Sequence, residues 1–404
     1  MKKCLKLALV ALLFSSPLIS QNKTVDSTDT KIKTYQFTKK LQLVPHTKVK
    51  NQGLTGTCWS YATSSWAESE VLRKGKDTLN LSEFYISYYN DYGSLIEGLN
   101  LRMPLFNDGG APSDYAYNVS KHGLMPREAY MPKLGPNKLY EQEMASLIKS
   151  NLQFFQDRMK TTPLSFNPKK VLSSLINMYL GIPPKTFQFK GKEYTPQTFS
   201  KEVVGVDWNN TVSLYNTGLI PYYEFSNKVS GFQLDYADTT VFNIPLDEYQ
   251  NVVDHALEYN YSLVVAISAA NHHIFDPATG IGYIPEGFGV TDESINLMAS
   301  GIGLHKPVKN QIITQEYKDS LYLNGTLSLD HAVQIIGTTR DSENNKYYVI
   351  KNSWGTEADG RLVGKKGLFY VTPSFLRLAT AYLFLNRDAL SKDLNHKITK
   401  AENK

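Results

Sequence analysis

A chain of 404 residues with only two cysteines, one of them at position 4, can form at most one internal disulfide, and none once an N-terminal leader is removed. Residues 1–20 read as a secretory signal peptide. Lys2 and Lys3 make a basic start, Leu5 to Phe14 is apolar apart from Lys6, and Ser15 to Ser20 is a small-residue stretch containing Pro17. Cys4 belongs to that leader, which leaves Cys58 alone in a mature chain of roughly 380 residues. A chain of that length buries enough surface to do without staples. The remaining cysteine is then inert packing, a link to another chain, or a reagent. The apolar run of the leader falls short of the about 20 residues that cross a bilayer, and no later stretch reaches that length. The expectation is an exported protein, periplasmic or secreted, with no stable membrane insertion once the leader is cleaved.

The leader holds three of the 43 basic residues and none of the 38 acidic ones, so the mature balance is about +2. The basic residues are scattered and form no stripe, which argues against a nucleic-acid partner. No phosphate-binding glycine loop is present. His272 and His273 have no cysteine or carboxylate companions at metal-ligand spacing. Neither a metal nor a cofactor is expected.

Residues 21–40 are a polar lead, and order is expected from Leu41 onward. Trp59, Ala62, Trp66, Ala67 and Leu72 recur near the helical period, which predicts a helix over Thr57 to Lys74 with Gly75 as its stop and Cys58 in its first turn. Ser82 is a candidate cap for a second helix, and Gly109-Gly110-Ala111-Pro112 breaks the chain before a third over Ser113 to His122. Further helices are expected over Lys138 to Met159 and Leu246 to Glu258. Ser262 to Ala269 is β-rich, and Asn271 to Val290 is loop-like. Two strand-like runs, Ala332 to Thr339 and Lys346 to Lys351, flank the polar turn Asp341 to Asn345.

That hairpin brings His331 beside Asn352, 21 residues later. The expected bond runs from His331 Nδ1 to the Asn352 amide and leaves Nε2 for a sulfur. A thiol attacks an amide as thiolate, and a helix N-terminus with a neighbouring imidazolium stabilises that form. Cys58 and His331 are therefore expected to rest as an ion pair. Gln52 lies six residues before Cys58 across a glycine-bearing loop, so its side-chain NH₂ and the Cys58 backbone N–H are the candidate oxyanion donors. Trp354 is expected to shield the His331 to Asn352 bond from water. Taken singly, each residue has a plainer role: a lone cysteine as apolar filler, a structural histidine, a strand-end asparagine, a surface glutamine. Their joint occurrence carries the reading.

In the order Gln52, Cys58-Trp59, Asp330-His331-Ala332 and Asn352-Ser353-Trp354-Gly355, these residues resemble the papain-like cysteine peptidases. Three departures from papain itself are a Thr55 where a disulfide cysteine is usual, no room for a long propeptide, and 273 residues between Cys58 and His331. Together with Tyr194-Thr-Pro-Gln-Thr-Phe199 and Asn243-Ile-Pro-Leu-Asp-Glu248, they resemble the bleomycin hydrolase and aminopeptidase C family. The resemblance implies an α+β, papain-like fold of two subdomains, a helical half and a β-barrel-like half, with a large mainly helical insertion. On this chain the divisions fall at 41–130 for the helical half with the nucleophile, 131–320 for the insertion and connections, 321–386 for the β-rich half, and 387–404 for a C-terminal tail.

The resemblance also implies an aminopeptidase of broad specificity acting on peptides, commonly a homo-hexamer, with the C-terminal arm in the cleft. Catalysis would fall to Cys58, His331 and Asn352, with Gly109 and Gly110 giving backbone contacts along the substrate cleft. The alternatives are an endopeptidase, an acyl transferase using the same residues, and a papain-fold binding protein without chemistry.

Overall fold

The computed structural model describes residues 37, 41–101, 106, 109–132, 141–227, 240–271, 274–276, 279–284, 288, 311–358, 361–362 and 366–403. The leader 1–20, the polar lead apart from Phe37, and His272 and His273 lie outside these described residues.

The helices are α1 (Cys58–Arg73), α2 (Glu83–Leu101), α3 (Pro112–His122), α4 (Glu141–Thr161), α5 (Pro168–Leu180), the short α6 (Pro196–Phe199), α7 (Leu246–Glu258), α8 (Gln315–Leu323), α9 (Pro373–Ala379) and α10 (Lys392–Glu402). The strands are β1 (Gln42–Leu43), β2 (Phe187–Phe189), β3 (Lys192–Tyr194), β4 (Thr211–Tyr215), β5 (Phe225–Ser226), β6 (Val241–Asn243), β7 (Leu263–Ile267), β8 (Phe275–Asp276), β9 (Ile281–Gly282), β10 (His331–Arg340), β11 (Lys346–Lys351), β12 (Glu357–Ala358), β13 (Arg361–Leu362), β14 (Leu368–Val371) and β15 (Thr380–Asn386).

Eleven strands form one sheet in the order β5-β6-β4-β15-β7-β10-β11-β14-β9-β8, with β1 paired to β10. The middle strands are covered on both faces, and the period of two shows it. Leu263, Val265 and Ile267 of β7 point into one core with Tyr249 and Val253 of α7, while Val264 and Ala266 point into the other with Trp66 of α1 and Phe84 of α2. Strand β15 divides likewise, Leu383 and Leu385 to the first core, Tyr382 and Phe384 to the second. Strands buried on both faces read as continuous apolar runs and carry no alternation for a sequence pattern to catch.

Helix α1 lies between the sheet and the other helices, so every residue from Trp59 to Val71 is buried. Its capping geometry suits what it carries. Thr57 makes no side-chain cap; its hydroxyl instead bonds that of Thr55. The amides of the first turn are left for another acceptor. Helix α2 begins where Ser82 takes the Tyr85 N–H at 3.2 Å. Gly110 sits hard against α1, where a Cβ would come within 2.6 Å of the Trp59 indole.

The β10–β11 hairpin has the expected turn, but its register shifts between Ile335 and Gly337. At that shift β1 comes so close that a Cβ on Gly337 would stand 2.0 Å from the Gln42 carbonyl oxygen. Residues 131–320 supply β4, β6 and β7 to the main sheet as well as α4, α5 and α7, so this range is not only helical. The C-terminal tail, read from sequence as a polar end, folds as α10. Ser391 caps it by taking the Leu394 N–H, and Leu394 and Ile398 bury one face in the α7 core. Lys397 reaches Glu248 of α7, and Glu402 pairs with Arg387. Among the described residues, no helix is long and apolar enough to cross a membrane.

Candidate active site

The site lies where the N-terminus of α1 meets the start of β10. Cys58 is half-buried. The backbone N–H groups of Ala332 and Trp59 act on its sulfur to favour the thiolate, which places the thiol near the residue that follows His331. His331 and Asn352 are buried, and the ring Nε2 lies 2.8 Å from Asn352 Oδ1. The expected ring nitrogen is thus corrected: Nε2, the atom farther from the backbone, spans to Asn352. Nδ1, nearer the backbone, takes no part in that bond.

The hairpin register explains the placement of Trp354. Gln334 pairs with Lys351, and the same register carried three residues onward sets position 331 against 354. The Trp354 ring stacks on the His331 ring at 4.7 Å with 27° between their planes. Phe275 and Phe369 pack its edges. Asn352 meets the histidine diagonally and is held by its own N–H to Gly367 O at 3.1 Å. Its Oδ1 also accepts the Ser353 N–H at 2.7 Å.

Gln52 is buried and its amide is fixed in orientation. Oε1 accepts from Ser353 Oγ at 2.6 Å, and Nε2 donates to Thr55 O at 2.7 Å, leaving a second N–H on that nitrogen. The backbone adds Gln52 N–H to Ser353 O at 2.8 Å and Gly355 N–H to Lys50 O at 3.0 Å. Ser353, to which the sequence reading gave no role, therefore ties the Gln52 loop to the Asn352 segment. The signal for it lay inside Asn352-Ser-Trp-Gly. Gly110 packs against Trp59, the residue after Cys58, and the Gly109 carbonyl accepts from Asn90 Nδ2 at 3.0 Å.

Beneath these groups lies a buried charge network that local sequence did not announce. Lys50 reaches both Glu68 and Glu83 at 2.6 Å, and Arg127 bonds Glu83. Glu68 also accepts from Thr47 Oγ1 at 2.6 Å and from Leu81 N–H at 2.8 Å. Lys351 donates to Thr47 and Ser65, and burial pulls its ammonium down to about 8. Lys50 stands two residues before Gln52, and Lys351 one before Asn352. The network anchors both flanks of the site.

Burial pushes the Cys58 thiol up to about 11; the Asp330 and Glu141 carboxylates add to the rise, and the two N–H donors oppose it. Burial also holds the His331 imidazole below its ordinary 6.5, against the upward pull of Asn352 and Asp330. Each group beside a neutral partner resists charge. Where sulfur and ring meet, as the chemistry proposed below requires, passing the proton from one to the other creates two opposite charges and no net charge, whereas adding or removing a proton leaves net charge in a buried place. The pair sharing one proton is favoured over a wide pH range. Alkylation of Cys58 by a neutral haloacetamide should accordingly rise in two steps. The first falls below 6.5, as the doubly protonated pair loses a proton; the second lies above 9.0, as the shared one leaves. A single step near the ordinary cysteine value of about 8.5 would mean that the ring does not share the proton. Among the described residues, no group of three or more His, Cys, Asp or Glu could hold a metal ion.

The family profile described as Peptidase C1-like family matches residues 99–403. Aminopeptidase C of Listeria monocytogenes is 24% identical over 394 residues, covering 86% of this chain and 82% of the relative. The mitochondrial cysteine proteinase 1 of Saccharomyces cerevisiae is 24% identical over 410 residues, covering 87% and 77%. The crystal structure of PepW from Lactobacillus rhamnosis superposes with a TM-score of 0.70 at 16% identity over 92% of this chain and 88% of that one, a likeness that speaks for the papain-like fold alone. These relatives correct the expected export. The yeast relative is named mitochondrial, and neither it nor aminopeptidase C is named as an exported protein. A short basic and apolar start does not by itself specify a destination. With the profile matched over three quarters of its length, the chain belongs to the Peptidase C1-like family and is a cysteine peptidase.

Proposed function

We propose that Cys58, His331 and Asn352 form the catalytic set of a cysteine aminopeptidase of broad side-chain preference, with Gln52 and the Cys58 backbone N–H as oxyanion donors. The observation that carries this reading is the arrangement at the start of β10: an imidazole bonded through Nε2 to Asn352, Trp354 stacked over that ring, and Cys58 at the first turn of α1, near the Ala332 N–H that follows the histidine. In the first half-reaction the thiol proton passes to His331 and the thiolate attacks the scissile carbonyl carbon. The oxyanion meets the free N–H of Gln52 and the first-turn amide of α1, a stabilisation worth about 2.7–4 kcal/mol per donor in a well-studied protease. His331 returns the proton to the leaving amine as the C–N bond breaks, which leaves a thioester on Cys58. In the second half-reaction His331 takes a proton from water, hydroxide attacks the thioester, and the carboxylic acid departs with the thiol restored. Gly110, packed on Trp59, and Gly109 before it are proposed to line the cleft.

Removal of residues from peptide N-termini is supported by the relatives named aminopeptidase C. It predicts a preference for a free substrate amine. Paired fluorogenic aminoacyl substrates, one free and one N-acetylated, should differ in kcat/KM by about 100-fold or more, the scale on which an unmatched polar group at a specific site discriminates. Equal rates on both would discard the terminus-gated reading. One observation favours a second reading, an endopeptidase: the C-terminal segment through Glu402 is anchored on the α7 side by Leu394, Ile398, Lys397 and Arg387.

A further inference from the structure

The loop from Gln52 to Thr57 delivers the nucleophile, and no disulfide braces it. Most of its bonds are internal: Gln52 to Thr55 in both directions, Thr55 to Thr57, and Gly53 N–H to Asn51 Oδ1 at 2.8 Å. Ser353 clamps one end from the β11 side. The other end is clamped from residues 131–320. The Gly56 N–H, two residues before Cys58, donates to Glu141 Oε2. Glu141 is fully buried and stands in the first turn of α4, where the helix dipole favours a carboxylate. The helix itself is fixed by Met144, Ile148, Leu152 and Phe155 in the α1 core and by Gln156 Nε2 to Gly98 O at 2.8 Å.

We propose that Glu141 is a positioning residue for Cys58: its carboxylate, carried by α4, holds Gly56 and so sets the turn that presents the sulfur and the Cys58 amide, while keeping negative charge beside the thiol. The inference rests on Cys58 being the nucleophile of the proposed function. The charged groups that act on Cys58 are Asp330, just before β10, and Glu141 from α4; His331 is the titratable partner that the proposed function gives it. Asp330 is occupied by the Ala269 and Ala270 N–H groups at 2.8 and 2.9 Å and by Ser328 Oγ at 2.8 Å. Tyr61 of α1 faces Glu141, and burial raises its hydroxyl far above the range in question. Burial raises the thiol most and both carboxylates add to it, and of the two only Glu141 also bonds the loop.

The test uses Glu141→Gln, which keeps an acceptor and removes the charge, and Glu141→Ala, which removes both. In Glu141→Gln both steps of Cys58 alkylation should move to lower pH by about half a unit or more, with turnover within about threefold of the parent. In Glu141→Ala, kcat should fall by about tenfold or more with KM within about threefold, since a displaced nucleophile costs turnover rather than binding. Unmoved alkylation steps in Glu141→Gln overturn the proposal, as does Glu141→Ala turnover within about twofold of the parent. Should the alanine variant fail to fold, the glutamine variant decides alone. A parent protein with no peptidase turnover but two alkylation steps would defeat the proposed function and leave the alkylation test of Glu141 standing.

Discussion

Replacing Cys58 by alanine should lower kcat/KM on any peptide substrate by at least about 10⁴-fold and leave the unfolding transition where it was. The magnitude follows from the role: removing a nucleophile leaves only substrate binding and oxyanion donors, a residual far below the intact set. The unchanged stability follows from the packing. Cys58 is half-buried at the first position of α1, while the mass of that helix, Trp59, Trp66 and Val71, lies in the core behind it. Steady-state kinetics and a thermal melt on the same preparation read both halves. Retained turnover would mean that the chemistry is carried elsewhere; lost turnover with a lost fold would mean that Cys58 is packing after all.

The second large effect is on stability. Glu83→Ala removes a fully buried carboxylate that accepts from Lys50 at 2.6 Å and pairs with Arg127. Breaking one side of a buried pair leaves an uncompensated cation, at a cost of about 3–5 kcal/mol. Lys50 would keep Glu68 but lose half its charge balance, two residues from Gln52, so turnover should fall together with the urea midpoint. Asp157→Ala is the matched control. Its partner Lys160 lies one turn along α4, both side chains are more than half exposed, and screening leaves such a pair little to contribute, so no measurable change is expected. Indistinguishable urea midpoints for the two variants would show that the network does not brace the site.

What the sequence made legible was what it states locally. Cys58-Trp59 at a helix start, the β-branched and aromatic runs of β10 and β11 about a polar turn, and the Asn352-Ser-Trp-Gly segment all announce their structure within a few residues, and the hairpin supplies the one long-range step. The α7 boundaries, Leu246 to Glu258, follow from periodicity because one face of that helix is exposed. Legibility failed where the deciding contact is remote or two-sided. Strand β15 is apolar throughout because both faces are covered, so no period separates it from a buried helix. Glu141 meets Gly56 across 85 residues, and nothing near either position encodes the pairing. The histidine nitrogen was misassigned because a hairpin argument fixes which residues are neighbours, not which ring edge each presents. Helix α10 did leave a signal, Ser391 before Leu394 and Ile398 at one-turn spacing, hidden in a tail dominated by polar residues.

The proposed chemistry needs one sulfur and one imidazole, carried by α1 and β10, to share a proton. It is tested most directly by treating the protein with a peptidyl thiol-directed electrophile at neutral pH and mapping the adduct by mass spectrometry, in the parent and in His331→Ala. A single adduct on Cys58 is expected, formed at least about 100-fold more slowly without His331 and with peptidase turnover lost in step with labelling. Labelling of Cys58 at the same rate in both proteins, or turnover that survives complete modification of Cys58, would contradict it.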